Sequence, residues 1–314
     1  MILLLGSSGY VGKEFERVLT KRSLNFRTLG RSQVDYTSYA KLRDFLISTR
    51  PSFIINAAGF TGKPNVDACE LQKEETMKGN VDFPKMLARL CHELGIPWGH
   101  ISSGCIYSGC LIDREGRWIP EKNMNQDYVR TIASNEPSRI KGFDETFNPN
   151  FCFNDGPCSY YSGTKALAEE AIRGIGDNYI WRLRIPFNEI NQSRNYLTKI
   201  QSYEKVYDNL NSLSHLGDFV NACLDCWVKR IPYGTYNVTN PGFVSTRQVV
   251  ELIKNILKLP RDFIFWESDE EFYKLGAKAL RSNCILSASK LLQSGVALRS
   301  VDQAIVESLS QWKR

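Results

Sequence analysis

Four apolar residues, Ile2-Leu3-Leu4-Leu5, run directly into Gly6-Ser7-Ser8-Gly9-Tyr10-Val11-Gly12, and a helical pattern continues to about Lys21. Strand, glycine turn and helix in this order constrain the fold more than any other stretch. The first glycine allows a tight turn. The second lets the backbone approach a pyrophosphate, the third lets helix and strand pack closely, and the helix N-terminus faces the phosphates. The spacing is GxxGxxG rather than GxGxxG. It predicts an α/β chain built on a doubly wound parallel sheet of Rossmann type, with a dinucleotide held at Gly6, Gly9, Tyr10, Val11 and Gly12.

The next elements keep the same rhythm. A second strand, Phe26-Arg27-Thr28-Leu29, ends in Gly30-Arg31-Ser32. An acidic residue at that place would suit the ribose hydroxyls of NAD; Arg31 suits a 2′-phosphate and Ser32 adds a hydrogen bond, so NADPH is the expected cofactor. The alternative for Arg31 is a solvated turn. Asp35 and Tyr36 follow and are expected to border the adenine. A helix over about 38–48 leads to a strand at 52–55 and to Asn56-Ala57-Ala58-Gly59, where small residues at Ala57, Ala58 and Gly59 let a cofactor lie against the backbone. Residues 67–94 read as one long helix with a break near Gly79.

A buried-strand segment, Ile96-Pro97-Trp98-Gly99-His100, then gives way to Ile101-Ser102-Ser103-Gly104-Cys105-Ile106-Tyr107. Open α/β sheets bind ligands outside the carboxyl ends of their strands. A hydroxyl at Ser103 and a thiol at Cys105 at such an end suit carbonyl polarisation and proton transfer; the alternative is a buried serine and an inert cysteine. Residues 108–150 are polar and aperiodic and read as a long insertion: a lid, an interface or a mobile loop. Tyr161-Ser162-Gly163-Thr164-Lys165 opens a helix on which Tyr161 and Lys165 share a face. An ammonium there lowers a phenol's pKa and holds a ribose. A strand at 179–185 closes the pattern, and beyond Pro186 the rhythm breaks. The expected division is a Rossmann domain over 1–186, with the insertion and part of 205–230, and a smaller substrate lobe over 187–314.

With 314 residues and a net charge of +6, the chain suits a globular protein that binds small polyanions. It has no arginine-rich helix or aromatic-interleaved basic run, so nucleic acid is not the expected partner. No run approaches the ~20 apolar residues of a membrane span. The apolar run begins at Ile2, which leaves no room for a leader, so a cytoplasmic protein with its nine cysteines reduced is expected. Cys223 and Cys226 share one helical face and read as packing. His92, His100 and His215 lack metal-ligand spacing, and no metal is expected.

The glycine loop, Ser103 and Tyr161-x-x-x-Lys165, in this order, resemble the extended short-chain dehydrogenase/reductase family. Asn56 to Glu70, Asn195-Tyr196-Leu197-Thr198-Lys199-Ile200, Tyr236 to Gly242, and Arg281-Ser282-Asn283 followed by Ser289-Lys290-Leu291 are similar to the bifunctional 3,5-epimerase/4-reductase part of plant-type nucleotide-rhamnose synthases. In the 108–150 stretch this chain is longer than the family pattern. The resemblance implies that Ser103, Tyr161 and Lys165 form a reductase set and that Cys105 and Lys199 are an epimerase acid/base pair. It implies a UDP- or dTDP-linked 4-keto-6-deoxyhexose as substrate, UDP being expected. It implies sugar contacts at Thr61, Ser103 and Asn195 and a diphosphate contact at Arg281. Thr61 and Asn195 have turn capping as their alternative, Lys199 a surface lysine, and Arg281 a salt bridge at the core edge. A homodimer is common in this fold family. The competing functions are a 4-reductase without epimerase activity and a non-catalytic NADPH-binding subunit.

Overall fold

The computed structural model describes residues 1–63 and 65–313. The chain runs β1 (Ile2–Leu5), α1 (Tyr10–Lys21), β2 (Phe26–Leu29), α2 (Tyr39–Thr49), β3 (Phe53–Asn56), α3 (Lys73–Met77), α4 (Phe83–Leu94) and β4 (Trp98–Ser103). Next come β5 (Cys110–Arg114), β6 (Arg117–Glu121), α5 (Asp127–Asn135), β7 (Ile140–Lys141), α6 (Tyr160–Ile172), β8 (Asn178–Leu183) and β9 (Pro186–Phe187). It continues through α7 (Tyr196–Ser202), β10 (Lys205–Val206), β11 (Leu210–Asn211), β12 (Ser214–His215), α8 (Leu216–Val228) and β13 (Gly234–Asn237). The last elements are β14 (Val244–Ser245), α9 (Thr246–Leu257), β15 (Ile264–Phe265), α10 (Asp269–Glu271), α11 (Ser289–Gln293) and α12 (Val301–Ser310).

The described residues fall into two compact units. The first comprises Met1–Ser103, Tyr160–Arg182 and Val220–Tyr236. Its six-stranded sheet has the order β13-β8-β4-β3-β1-β2, and β1 pairs in parallel with both β2 and β3. Every residue of β1, β3 and β8 is buried, as in parallel sheets covered on both faces. Phe15, Val18 and Leu19 give α1 its apolar stripe against the sheet. Leu3, Leu5, Ile54, Leu87, Trp98 and Ile180 belong to one core. Because β2 and β3 flank β1 on opposite sides, the strand order reverses at β1. The crevice beyond the ends of β1 and β3 is therefore the switch point at which such sheets take ligands.

The second unit comprises Gly104–Ser159, Leu183–Phe219 and Asn237–Arg314. One of its cores gathers Phe187, Leu197, Ile200, Val249, Ile253 and Ile305. Two of its helices start on capping boxes written in the sequence, Ser245 with Gln248 on α9 and Ser300 with Gln303 on α12.

Two elements differ from the sequence expectation. Residues 108–150 hold a three-stranded antiparallel sheet in the order β6-β5-β7, together with α5. The β5–β6 hairpin turns on Glu115 and Gly116, both at positive φ (55° and 81°), as a two-residue turn of the tight hairpin type requires. Cys110, Ile112, Val129 and Ile140 form the core beneath it. The 67–94 helix is likewise interrupted. A 3₁₀ turn occupies Val66–Glu70, α3 begins at Lys73, and the expected break near Gly79 is a single π turn, Lys78–Asp82, running into α4.

Candidate active site

At the switch point the chain allows no side chain where β1 meets the loop after β3. Gly6 has φ +77°, and a β-carbon there would lie 2.4 Å from the Ala58 amide nitrogen. A β-carbon on Gly12 would lie 2.1 Å from the Gly6 carbonyl oxygen, so Gly12 seats α1 on the turn. Gly9 is the N-cap of α1 and offers no side chain to cap it. The first amides of α1 are thus open to an anion. A cavity of about 720 Å³ lies here. Its walls are the turn (Gly6, Ser8, Gly9), the segment after β2 (Arg31, Tyr36, Thr37), the loop Ala57–Phe60 and the α3–α4 helix.

The expected cofactor residues divide around this cavity. Gly6, Gly9, Arg31, Tyr36, Ala57, Ala58 and Gly59 line it. Tyr10, Val11 and Gly12 form the first turn of α1 behind the lining. Ser32 and Asp35 line an adjoining surface depression, which they share with Arg31. Asp35 accepts hydrogen bonds from the Thr37 amide (3.2 Å) and hydroxyl (2.5 Å), which hold its carboxyl below the usual range. Burial raises the Tyr36 phenol, whose ring stands 5.3 Å from that of Phe83.

Two asparagines that the sequence reading did not single out fix the lining loop. Asn56, fully buried, accepts from the Ala58 amide (3.0 Å) and donates to His100 Nδ1 (3.1 Å). That bond leaves His100 its proton on Nε2. Burial, and then the nearby Lys165 charge, hold the ring well below its ordinary pKa, so His100 is neutral. Asn80 sits in the π turn, accepts from the Phe60 amide (2.8 Å), and donates to the Phe60 carbonyl (2.9 Å) and the Thr164 hydroxyl (3.3 Å). Single π turns recur at functional sites because they aim one side chain out of the helical register. Thr61 is exposed just beyond this clamp.

Helix α6 brings Tyr161 and Lys165 to the same region. The Glu70 carboxylate accepts from the Tyr160 amide (2.7 Å) and so caps the N-terminus of α6. Tyr161 is half-buried, and Lys165 is buried with Nζ donating to the Ile101 carbonyl (3.2 Å). A β-carbon on Gly59 would lie 3.8 Å from that Nζ, which places the ammonium beside the cavity loop. Two turns from Tyr161, Glu169 accepts from Arg182 through both oxygens (Nε 3.0 and 3.1 Å, Nη2 2.7 Å) and from the Ser102 hydroxyl (2.6 Å). Ser103 ends β4 and is half-buried.

In the second unit, Cys105 occupies the 3₁₀ turn Gly104–Ile106 and is 8% exposed. Lys199, on α7, is half-buried, and its side-chain ammonium makes no hydrogen bond or ion pair among the described residues. Burial lowers its pKa, and the charges of Arg194 and Arg281 lower it further. Arg281 is half-buried, and its amide donates to the Tyr273 hydroxyl. Asn195 has no exposed surface. Its oxygen caps α7 at the Leu197 amide (3.0 Å), and its nitrogen donates to the Asn188 and Ile190 carbonyls. This is the turn-capping alternative for Asn195. Cys223 and Cys226 pack inside α8 with no exposed surface, and no cluster of three metal-ligating side chains occurs among the described residues. No helix among them is long and apolar enough to cross a membrane.

The fold is that of the doubly wound dinucleotide-binding class. A family model described as the RmlD substrate binding domain matches residues 1–132. A bifunctional dTDP-4-dehydrorhamnose 3,5-epimerase/dTDP-4-dehydrorhamnose reductase of Arabidopsis thaliana is 30% identical over 97% of this chain and 91% of its own length. A trifunctional UDP-glucose 4,6-dehydratase/UDP-4-keto-6-deoxy-D-glucose 3,5-epimerase/UDP-4-keto-L-rhamnose-reductase of the same plant is 30% identical over 97% of the chain, which spans 41% of that protein's length. The crystal structure of the L780 UDP-rhamnose synthase of Acanthamoeba polyphaga mimivirus matches with a TM-score of 0.82 at 23% identity, covering 99% of this chain and 98% of that one, a likeness of fold. The chain belongs to the extended short-chain dehydrogenase/reductase family, in the group that holds the nucleotide-4-dehydrorhamnose reductases and their bifunctional epimerase/reductase relatives.

Proposed function

We propose that the chain is an NADPH-dependent 4-reductase of a UDP-linked 4-keto-6-deoxyhexose that also epimerises the sugar at C3 and C5, yielding UDP-L-rhamnose. The observation that carries the reductase reading is Lys165. It stands one helical turn from Tyr161, beside Gly59 of the cavity loop, with Nζ fixed on the Ile101 carbonyl at 3.2 Å. A tyrosine with a held ammonium next to a dinucleotide cradle is equipped to protonate the oxygen of a carbonyl under reduction. Support for the epimerase reading comes from Cys105 and the charge-crowded Lys199, and from a bifunctional relative matched over 91% of its length.

The cradle fits the cofactor. The open amides of α1 and the Gly6–Gly9 turn accept a pyrophosphate, Arg31 answers a 2′-phosphate, and Tyr36 walls the adenine end. NADPH, when bound, supplies a hydride to the ketone carbon.

The chain's residues do the rest. Ser103 and Tyr161 donate hydrogen bonds to the C4 ketone oxygen. The protons at C3 and C5 are α to that ketone, so removing either makes an enolate whose charge the two donors stabilise. Cys105 and Lys199 take and return the protons, one as base and one as acid, to invert each centre. Because Lys199 is desolvated and crowded by Arg194 and Arg281, more of it is neutral near pH 7 than of an ordinary lysine. The same arginines suit the substrate diphosphate. In the reduction, Tyr161 gives its proton to the C4 oxygen and the Lys165 ammonium stabilises the phenolate that remains. One ketone activates both reactions, so one set of donors serves both. Cys105→Ala tests the assignment. It is expected to stop UDP-rhamnose formation while NADPH still binds, and unchanged product formation would return Cys105 to packing.

A further inference from the structure

Glu169 and Arg182 form an ion pair with 1% and 0% exposure, and the reaction proposed above uses neither. Taking two charges out of water costs so much that a buried pair adds little net stability over apolar residues of the same size. Its geometry shows another use. Tyr161, Lys165 and Glu169 recur every four residues along one face of α6. Lys165 donates to the Ile101 carbonyl, and Glu169 accepts from Ser102, so two rungs one helical turn apart join α6 to consecutive residues of β4. The next residue on β4 is Ser103. Arg182, from β8, donates to both Glu169 oxygens and so restrains the carboxylate's orientation. An apolar contact would tolerate a small slide of the helix along the strand. This bidentate pair with a third, 2.6 Å bond does not.

We propose that Glu169, locked by Arg182 and bonded to Ser102, is a positioning residue that sets the register of Tyr161 and Lys165 against Ser103. The inference rests on the reading of Ser103, Tyr161 and Lys165 as the reductase set. A displacement of about 1 Å in reacting groups costs as much as 100-fold in rate. The proposed pyrophosphate and adenine contacts lie on other elements, the β1–α1 turn and the segment after β2.

Ser102→Ala is the sharpest test, because it removes one hydroxyl and leaves the ion pair intact. Holoenzyme turnover is compared among wild type, Ser102→Ala, Ser102→Thr and Tyr161→Phe, with NADPH affinity, melting temperature and the solvent deuterium isotope effect on kcat. In Ser102→Ala we expect kcat to fall about tenfold or more, NADPH Kd to stay within twofold, and the isotope effect to rise as proton delivery becomes limiting. Ser102→Thr, which restores a hydroxyl, is expected to recover most of the rate. A Ser102→Ala enzyme that melts lower but keeps the wild-type kcat and isotope effect overturns the positioning role. If in that case Tyr161→Phe is inactive, the reductase reading stands. Normal turnover by Tyr161→Phe overturns that reading and the positioning role together.

Discussion

Gly6 and Ala58 meet backbone to backbone, with no room for a β-carbon between the end of β1 and the loop after β3. Two independent demands fall on Gly6: the left-handed φ of +77° and the close approach. Gly6→Ala is therefore predicted to lower stability by about 1–3 kcal/mol. It should also open the cradle and weaken NADPH at least tenfold. Thermal melts and a fluorescence titration measure the two effects. A variant that binds NADPH as tightly as wild type would show that the turn has slack which the backbone does not display.

Arg31 stands at the border of the cavity and of the depression that holds Ser32 and Asp35. Arg31→Ala is predicted to remove one charge-assisted phosphate contact, about 1.5–3 kcal/mol. That corresponds to roughly 10- to 150-fold in Kd for NADPH, with NADH affected little. Parallel titrations with the two cofactors check this, and equal losses would remove Arg31 from the 2′-phosphate.

Tyr161 is the proposed proton donor to the C4 oxygen. Tyr161→Phe keeps the ring and loses the hydroxyl, and is predicted to cut kcat by about 100- to 10,000-fold. Binding of NADPH should persist, because the phosphate contacts proposed above sit on the β1–α1 turn and after β2. Single-turnover oxidation of bound NADPH reads the effect directly.

The lowered pKa of Lys199 gives a pH signature. A lysine that loses its proton below its usual 10.5 becomes an effective base at correspondingly lower pH, so exchange of the substrate's α protons should rise with pH through a midpoint below 10.5. Arg194→Ala removes one of the crowding charges and is predicted to move that midpoint upward. Lys199→Gln should abolish the limb. Proton exchange followed by NMR without cofactor turnover gives the profiles, and an Arg194→Ala profile identical to wild type would contradict the electrostatic account.

The features legible in the sequence are local ones. The glycine turn, the apolar runs of β1 and β3, the stripe of α1 and the Tyr161-x-x-x-Lys165 face each depend on neighbours within a few residues. The residues that hold the site in place were not legible. Asn80 meets Phe60 across 20 positions and Thr164 across 84, and Ser102 meets Glu169 across 67. None of these polar residues belongs to a periodic pattern, and nothing in the chain announces its partner. The hairpin in 108–150 escaped for another reason. Its turn is Glu115-Gly116 and its outer strand, β6, is exposed and sets Trp118, Ile119 and Pro120 in a row between two charged ends, so there is no alternation to read. Asn195 shows the limit of resemblance: one residue type serves sugar contact and helix cap equally well, and only burial shows that its amide is occupied as a cap here.

The central claim is that one chain inverts two carbons and reduces the ketone between them. The most direct measurement is turnover of UDP-4-keto-6-deoxyglucose with NADPH in D₂O, with NMR of the product. The account predicts UDP-rhamnose carrying deuterium at C3 and C5, with one equivalent of NADPH oxidised. Hydride transfer into a product without deuterium at those carbons would contradict it, leaving a 4-reductase in which Cys105 and Lys199 move no protons.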